Sequence, residues 1–322
     1  MYDKINLAII GSGKWGFNHV RTAMSLLDSS KVIVCDINDS VKDKLDELSI
    51  DVKFSTNFEE ILKDDEISCI IIATPAETHY NLAKQCLLNG KNILVEKPIT
   101  LYASEAQELY DISKEKSLVL MVGHVLLYHP AILKIKEMLD EGNLGRLQYI
   151  YSNRLNLGTI RSEENILWSF APHDISIIQF LAGNNPVEVY AKGASFLQHE
   201  IEDTTLTFLR YPDNVSAHIF VSWLHPFKEQ RLVVIGDKGM VVFEDSLEKE
   251  KLKYYKKGFQ KVEGVLEKFD FDYEVIEIDN KMPLAEEQKH FFECVDQGKV
   301  PLTDGKHAVE VLKILEESQK NL

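Results

Sequence analysis

Short apolar runs alternate with amphipathic segments along the first part of the chain. The runs are INLAII (residues 5–10), KVIVCD (31–36), CIIIAT (69–74), NILVEK (92–97) and SLVLMV (117–122). Runs of this length, low in charge and separated by helical patterns such as Leu101 to Lys116, are typical of parallel strands covered on both faces. The pattern predicts a doubly wound α/β domain over residues 1–122.

The pattern of apolar and polar residues changes after residue 122. A helix is predicted from Pro130 to Glu141, and period-two alternation follows in LQYIYSNRL (147–155), VEVYAKGASF (187–196), TTLTFLRY (204–211), VSAHIFVSW (215–223) and QRLVVIGD (230–237). Few helices separate these segments, which favours an open, mainly antiparallel sheet with one covered face. Helices from Pro283 to Gln297 and from Gly305 to Lys320 close the chain, and the charged stretch from Glu248 to Lys268 is interpreted as a solvated hairpin or loop. Residues 123–322 are therefore predicted to form one α+β domain.

Length and charge narrow the class of protein. A chain of 322 residues favours two domains, and a formal charge of −15 argues against nucleic acid or an anionic membrane as the main partner. Without an apolar run long enough to span a bilayer or a leader pattern before the first strand, the chain is expected to be cytoplasmic. The scattered cysteines, Cys35, Cys69, Cys86 and Cys294, lack metal-ligand spacing and are expected to be buried thiols. His124 and His129 lack a third ligand at a suitable spacing, so no metal is expected.

Three glycines follow the first apolar run in the spacing GxGxxG. Gly11 permits a tight turn, Gly13 lets the backbone approach a pyrophosphate, and Gly16 lets the next helix pack on the strand. The diphosphate of a dinucleotide is expected at the positive end of that helix. The cofactor-binding residues predicted in this loop are Gly11, Ser12, Gly13, Lys14, Trp15 and Gly16.

Asp36 ends the second apolar run, twenty residues beyond Gly16. A carboxylate there can bind the adenosine ribose hydroxyls and would repel a 2′-phosphate, which favours NAD over NADP. The alternative is that Asp36 only forms a turn.

Two further strand ends are expected to face the cofactor, because ligands in open α/β sheets lie beyond the carboxyl ends of the strands. Thr74 and Pro75 are placed to line the nicotinamide side. Thr74 with Glu77 also fits a capping box, with Pro75 in the first helical position, and His79 is either packed or functional.

The next strand end carries Glu96, Lys97 and Pro98. A lysine in this position points into the cleft of such a sheet. The alternative for Lys97 is a solvated side chain or a salt bridge to Glu96 or another acid.

Taken in order, GxGxxG, ATPAETH (73–79), EKP (96–98), GH....HPA (123–131) and APHD (171–174) resemble the Gfo/Idh/MocA oxidoreductase family over nearly the whole chain. The resemblance implies an N-terminal Rossmann domain, a C-terminal sheet often used for oligomerisation, and NAD(P)-dependent oxidation or reduction of sugars and polyols. Because an exposed face on that sheet would need covering, a homodimer or homotetramer is expected. It places Lys97 in the active site and gives His173 the proton transfer. His79, Glu96 and Lys97 are counted with the cofactor-binding residues.

Within the family, GHVLLYHPA (123–131) and the segment 152–178 resemble the UDP-N-acetylglucosamine 3-dehydrogenases, which oxidise the C3 hydroxyl of the sugar to a ketone. A nucleotide sugar carries a diphosphate, for which Arg154 and Arg161 could supply forked, charge-assisted hydrogen bonds. The further residues expected at the substrate are Tyr128, His129, Asn156, Ser169, His173 and Lys97. The alternatives are that Arg154 pairs with an acid and that Tyr128 belongs to the core.

Ser169 departs from the family pattern, which commonly has an aspartate four residues before the histidine. Asp174 is adjacent to His173 but should face elsewhere on a helix. Histidine titrates near neutrality, which suits His173 as the base, while a charged Lys97 would donate a hydrogen bond to the reacting oxygen.

Three other functions stay open at this point. The chain could be a dehydrogenase of a free polyol or sugar such as inositol or glucose, a non-catalytic NAD(H) sensor suggested by Ser169, or an NAD-dependent glycosidase.

Overall fold

The structure is a computed structural model that describes residue 2 and residues 4–322. The described residues form two compact units. The first unit contains the chain up to Tyr128 together with Lys281–Leu312, and the second contains His129–Asn280 and Lys313–Leu322.

The helices, in chain order, are α1 (Lys14–Leu26), α2 (Ser40–Glu47), α3 (Phe58–Lys63), α4 (Ala76–Leu88), α5 (Ala103–Glu115), α6 (Pro130–Asp140), α7 (Ile166–Ala182), α8 (Pro283–Gln297) and α9 (Gly305–Lys320). The strands are β1 (Leu7–Ile10), β2 (Val32–Cys35), β3 (Lys53–Ser55), β4 (Cys69–Ile72), β5 (Asn92–Glu96), β6 (Leu120–Gly123), β7 (Leu147–Leu157), β8 (Glu188–Ala194), β9 (Thr204–Arg210), β10 (Ser216–Ser222), β11 (Leu224–Gly236), β12 (Met240–Glu244), β13 (Leu252–Val262) and β14 (Val265–Val275).

The first unit is built on a parallel sheet in the order β3-β2-β1-β4-β5-β6. Every residue of β1, β4 and β6 is buried, as expected for strands covered on both faces. The order reverses between β1 and β4, which is where such sheets bind ligands. The predicted doubly wound α/β fold is confirmed.

Residues 281–312 lie in a different unit from the one that the sequence indicated. Phe291 and Phe292 of α8 are fully buried in the core of the first unit, together with Ile9 of β1 and Val20 of α1. The apolar stripe of a helix shows that one face must be buried, but not against which sheet it is buried. The extent of the second domain predicted as 123–322 therefore differs from the unit in the structure.

The second unit is built on a sheet in the order β14-β13-β12-β11-β7-β10-β9-β8. All neighbours are antiparallel except β7 and β10. Helix α7 packs across β7, β9 and β10. The predicted α+β fold on a mainly antiparallel sheet is confirmed.

The face of this sheet opposite α7 carries aromatic side chains. Tyr151 stacks on His218 with ring centroids 5.2 Å apart, and Tyr149 hydrogen-bonds to the same histidine. Further along the face, Tyr190 and Phe208 are 58% and 38% exposed. We call these five residues the aromatic face.

The charged stretch from Glu248 to Lys268 falls on the hairpin of β13 and β14, which is mostly exposed. Lys257 and Asp270 pair across it at 2.9 Å. The prediction of a solvated hairpin or loop is confirmed as a hairpin.

All four cysteines are buried and free, as predicted. Burial raises the pKa of Cys69 and that of Cys86 to about 12, which keeps both thiols protonated. Over the described part of the chain, none of the helices has the length and apolar character that a bilayer crossing requires.

Candidate functional site

The glycine loop of the first unit joins β1 to α1 with the geometry that a diphosphate cradle needs. Gly11 has a φ of +87°, and a Cβ there would lie 2.7 Å from the Thr74 Cγ2. A Cβ on Gly16 would clash with the carbonyl oxygen of Gly11, whereas one on Gly13, the N-cap of α1, would meet nothing within 4 Å. Each glycine therefore has a separate steric reason, and the open approach is at Gly13.

Asp36 follows β2 and is bonded on both carboxylate oxygens. Its Oδ2 accepts a hydrogen bond from the Ser12 amide at 2.6 Å, and its Oδ1 accepts one from the Asn38 amide at 3.0 Å. The contact with Asn38 forms the turn that the sequence left open as the alternative role of Asp36. The contact with Ser12 connects Asp36 to the glycine loop. A carboxylate fixed beside this loop can accept hydrogen bonds from ribose hydroxyls.

A cavity of about 720 Å³ opens at these residues. Its lining includes most of the predicted cofactor residues, namely Gly11, Ser12, Gly13, Lys14, Trp15, Asp36, Thr74 and Pro75. Ser12 is 4% exposed, and its Oγ has no hydrogen-bond partner within the described residues. A buried hydroxyl without a partner, one residue before the N-cap of a helix, fits a phosphate oxygen, so these residues fit a dinucleotide.

The start of α4 differs from the sequence interpretation. The helix begins at Ala76 with Pro75 as its N-cap and without a side-chain cap, so the predicted capping box of Thr74 and Glu77 is wrong. The Thr74 hydroxyl instead bonds to the Thr78 hydroxyl at 2.6 Å. This bond satisfies the Thr74 side chain, and the helix then starts one residue later.

His79 is a packed residue that ties two loops together. It is 1% exposed, and its ring nitrogens lie 2.8 Å from the carbonyl oxygens of Pro98 and Thr74. It therefore fixes the loops after β4 and β5, and it does not line the cavity.

Glu96, the last residue of β5, is the centre of a hydrogen-bond network. Its Oε1 accepts hydrogen bonds from the His19 Nε2 at 2.8 Å and from the Trp15 indole, and its Oε2 accepts one from the Lys97 amide at 3.2 Å. Burial alone would raise the pKa of Glu96. The bonds from His19 and Trp15 and the charge of Lys97 outweigh burial and hold the pKa below its ordinary value, so Glu96 is an anion.

Lys97 follows directly, and its peptide bond to Pro98 is cis. Its charge also acts on His124 of the same unit, which is 3% exposed. Burial, the neighbouring His307 and the charge of Lys97 place the pKa of His124 well below its ordinary value. The charge of Lys97 thus acts on an anionic carboxylate and on a neutral imidazole.

Two buried residues of α8 are also connected to Glu96, one through His19 and one through its charge, and the sequence interpretation missed both. Gln288 contacts His19, and Glu287 lies close enough for the charge of Glu96 to act on it. Glu287 is completely buried, and neither of its carboxyl oxygens has a hydrogen-bond partner among the described residues. Burial, with the charge of Glu96 as a second cause, raises the pKa of Glu287 well above its ordinary value and keeps it protonated.

In the second unit, α7 carries Ser169 and His173 one turn apart, with Asn165 as the N-cap. Ser169 is buried and His173 is half-buried. The adjacent Asp174 accepts a hydrogen bond from the Arg154 Nε at 2.7 Å and one from the Ser152 Oγ at 2.5 Å. Asp174 therefore faces the sheet.

Of the two predicted arginines, Arg154 takes the alternative role that the sequence left open. It forms a forked pair with Asp174, and the two side chains are 13% and 2% exposed. Arg161 is exposed and pairs with Glu164 at 2.7 Å. Asn156 contributes a buried Oδ1 that has no hydrogen-bond partner within the described residues.

The predicted substrate role of Tyr128 does not fit the structure. Tyr128 is 5% exposed in the core of the first unit, and its hydroxyl bonds to the Thr303 Oγ1 at 3.2 Å. Burial is the main reason why the pKa of Tyr128 lies well above its ordinary value. His129 caps α6 by accepting a hydrogen bond from the Ala131 amide at 3.1 Å.

Two models of one protein family match the chain. The model described as oxidoreductase family, NAD-binding Rossmann fold, matches residues 5–124, and the model of the GFO/IDH/MocA C-terminal domain matches residues 132–242.

Curated relatives and solved structures are similar to the chain over different lengths. The scyllo-inositol 2-dehydrogenase (NAD(+)) of Bacillus subtilis is 25% identical over 318 residues, which are 94% of this chain and 89% of that protein. The UDP-N-acetylglucosamine 3-dehydrogenase of Acidithiobacillus ferrooxidans is 31% identical over 141 residues, 44% of each chain. A solved structure of UDP-N-acetylglucosamine 3-dehydrogenase from that organism has a TM-score of 0.85 at 23% identity, covers 98% of this chain and 96% of its own, and shows that the fold is shared.

The first unit thus has the Rossmann fold of the matched model and carries a cradle that fits the dinucleotide. The chain belongs to the Gfo/Idh/MocA family of NAD-dependent oxidoreductases, enzymes that act on CH–OH groups.

Proposed function

We propose that this oxidoreductase oxidises the C3 hydroxyl of a UDP-linked N-acetylhexosamine to a ketone, with NAD as the cofactor. The observation that carries the proposal is the buried Oδ1 of Asn156, which has no donor within the described residues. A buried acceptor without a donor is costly, and a sugar hydroxyl or an acetamido N–H would satisfy it.

Arg161 supports a substrate that carries a diphosphate. Its side chain is 54% exposed, and its pair with Glu164 is a surface pair between residues three apart. Such pairs contribute little free energy, so the guanidinium can exchange Glu164 for a phosphate. Arg154 is not used in this proposal, because its guanidinium is paired with Asp174.

The proposed chemistry divides between a base and a hydrogen-bond donor. NAD, when bound, supplies the acceptor for the hydride. His173 takes the proton from the hydroxyl, since imidazole is a base near neutral pH. Lys97 donates a hydrogen bond to the same oxygen and stabilises its developing negative charge.

A dehydrogenase of a free polyol is the second candidate. The match to the inositol dehydrogenase of Bacillus subtilis extends over 94% of the chain, whereas that to the UDP-sugar enzyme covers 44%. A polyol site would need Asn156 and no contact from Arg161, so the two candidates differ in the role of Arg161.

The test is NADH formation with a panel of UDP-sugars beside free inositol and glucose, with an aminotransferase and glutamate as a trap for the ketone. We expect turnover with a UDP-N-acetylhexosamine that is lost in Lys97→Ala and His173→Ala. Arg161→Gln should raise the KM for the UDP-sugar and leave NADH affinity unchanged. Turnover of a free polyol that Arg161→Gln does not affect would replace this substrate with the second candidate.

We also propose that two copies of the chain associate through the aromatic face. Tyr190 and Phe208 expose large apolar surfaces on a sheet, and such surfaces usually mark an interface. Light scattering after gel filtration should give a dimer or tetramer that dissociates in Phe208→Lys. A monomer in the unmodified protein would contradict this.

A further inference from the structure

A chain of hydrogen bonds runs through the first unit from α8 to the dinucleotide cradle. The Gln288 amide nitrogen lies 3.0 Å from the His19 Nδ1, and the His19 Nε2 lies 2.8 Å from the Glu96 Oε1. The same carboxylate oxygen accepts a hydrogen bond from the Trp15 indole. Gln288 and His19 are completely buried, whereas Trp15 lines the cavity.

The contacts of Gln288 fix the position of the proton on His19. The Gln288 Nε2 also lies 3.1 Å from the carbonyl oxygen of His19, which can only accept a hydrogen bond. The amide must therefore turn its NH2 group toward both atoms, since the reversed amide would bring two acceptors together. The His19 Nδ1 then accepts, the proton is on Nε2, and Nε2 donates to Glu96.

Trp15 depends on this carboxylate for its position. The indole is 43% exposed, so packing restrains it only in part, and its N–H bonds to Glu96 at the end of β5. The Glu96 carboxylate in turn keeps its orientation because His19 donates to it in one fixed tautomer. The cradle wall at Trp15 is thus connected, bond by bond, to a helix more than 250 residues later in the chain.

We propose that Gln288 and His19 are positioning residues for the cofactor: by fixing one histidine tautomer they orient Glu96, which holds the Trp15 indole in the wall of the dinucleotide cradle. The proposal concerns NADH affinity and needs no sugar, so it stands apart from the substrate proposed above.

The test is a double-mutant cycle on the affinity for NADH, measured from the fluorescence of the bound cofactor. Gln288→Met keeps the length of the side chain and removes its N–H donors, and Trp15→Phe keeps an aromatic wall without the indole N–H. Each change should weaken NADH binding by about tenfold, the effect of one hydrogen bond. Because both act through Glu96, the double variant should bind NADH about as well as either single variant.

A matched control separates positioning from stability. Gln179, on α7 in the second unit, is 5% exposed, comparable to Gln288. Gln179→Met should lower the melting temperature and leave NADH affinity unchanged. If Gln288→Met also lowers the melting temperature but changes NADH affinity by less than about twofold, or if the two effects in the cycle multiply, the proposal is overturned.

The unmodified protein offers a second measurement that does not depend on the folding of any variant. The nitrogen NMR signals of His19, assigned by their loss in His19→Gln, should show the tautomer protonated on Nε2 near neutral pH. A ring protonated on Nδ1, or on both nitrogens, would contradict the proposal.

Discussion

Replacing Glu287 with glutamine should make the stability of the first unit less dependent on pH. The carboxyl group is completely buried, and neither oxygen has a hydrogen-bond partner among the described residues. Burial and the nearby charge of Glu96 raise its pKa well above the ordinary value of 4.5. Glutamine has nearly the same shape and cannot ionise.

The size of the effect follows from the linkage between protonation and folding. Below pH 4.5 the carboxyl group is protonated in the folded and in the unfolded chain, so pH has no effect through it. Above that value only the unfolded chain releases the proton, and the free energy of unfolding falls by about 1.4 kcal/mol per pH unit until the raised pKa is reached. Glu287→Gln should therefore lose less stability than the unmodified protein as the pH rises above 4.5, by up to about 1.4 kcal/mol per pH unit.

Comparing how the free energy of unfolding changes with pH in the two proteins cancels every contribution that does not depend on pH. Glutamine adds buried N–H donors, which lower stability by an amount that does not change with pH. Glu96 has a lowered pKa, so the stability that it contributes is lost as the pH falls. This loss is the same in the unmodified protein and in Glu287→Gln.

Urea-induced unfolding followed by circular dichroism, at several values between about pH 5 and about pH 8, gives the required free energies. Glu293→Gln, at an exposed position of the same helix, controls for the loss of one carboxyl group from α8. A difference between Glu287→Gln and the unmodified protein that is constant across this range would refute the reasoning. The same change of slope in Glu293→Gln would refute it too.

Three further outcomes are expected. Asp36→Ser should shift the ratio of kcat/KM for NAD and NADP toward NADP by about tenfold or more, since the carboxylate that repels a 2′-phosphate is gone; steady-state kinetics with both cofactors measures it. Tyr128→Phe should lower the free energy of unfolding by about 1 kcal/mol without changing the KM for the sugar, because its hydroxyl bonds within the core. Arg154→Met should lower the free energy of unfolding by about 3 to 5 kcal/mol by leaving Asp174 buried without its partner, and urea unfolding measures the loss.

The sequence predicted well where the constraint on a residue is local. Gly11 is required by its backbone conformation and Gly16 by the close approach of the chain within one turn. Their spacing alone therefore predicted the cradle. The buried runs followed for the same reason, since each run shows its own burial. The substrate role of Tyr128 failed because the partner that places it in the core, Thr303, lies 175 residues further along the chain.

The short, mostly polar helices and strands were not predicted from the sequence. Helix α2 buries only Val41 and Leu45, and β3 has three residues, so neither gives a periodic signal over its length. The cap at Thr74 failed for a related reason. A threonine before a proline matched the capping pattern, but the hydroxyl of Thr78 is a competing partner one turn later.

The residues that sequence reasoning missed still left a signal, because they interrupt apolar stripes. Along α8 the buried positions are Leu284, Glu287, Gln288, Phe291, Phe292 and Cys294, and Glu287 and Gln288 are the polar members of these six. A buried polar group needs a hydrogen-bond partner, and a buried carboxyl group that lacks one keeps its proton. Gln288 meets the first condition through His19, and Glu287 meets the second by keeping its proton beside an anionic Glu96. The two polar interruptions of one stripe therefore mark the network of Glu96, and the residue that follows this carboxylate is Lys97.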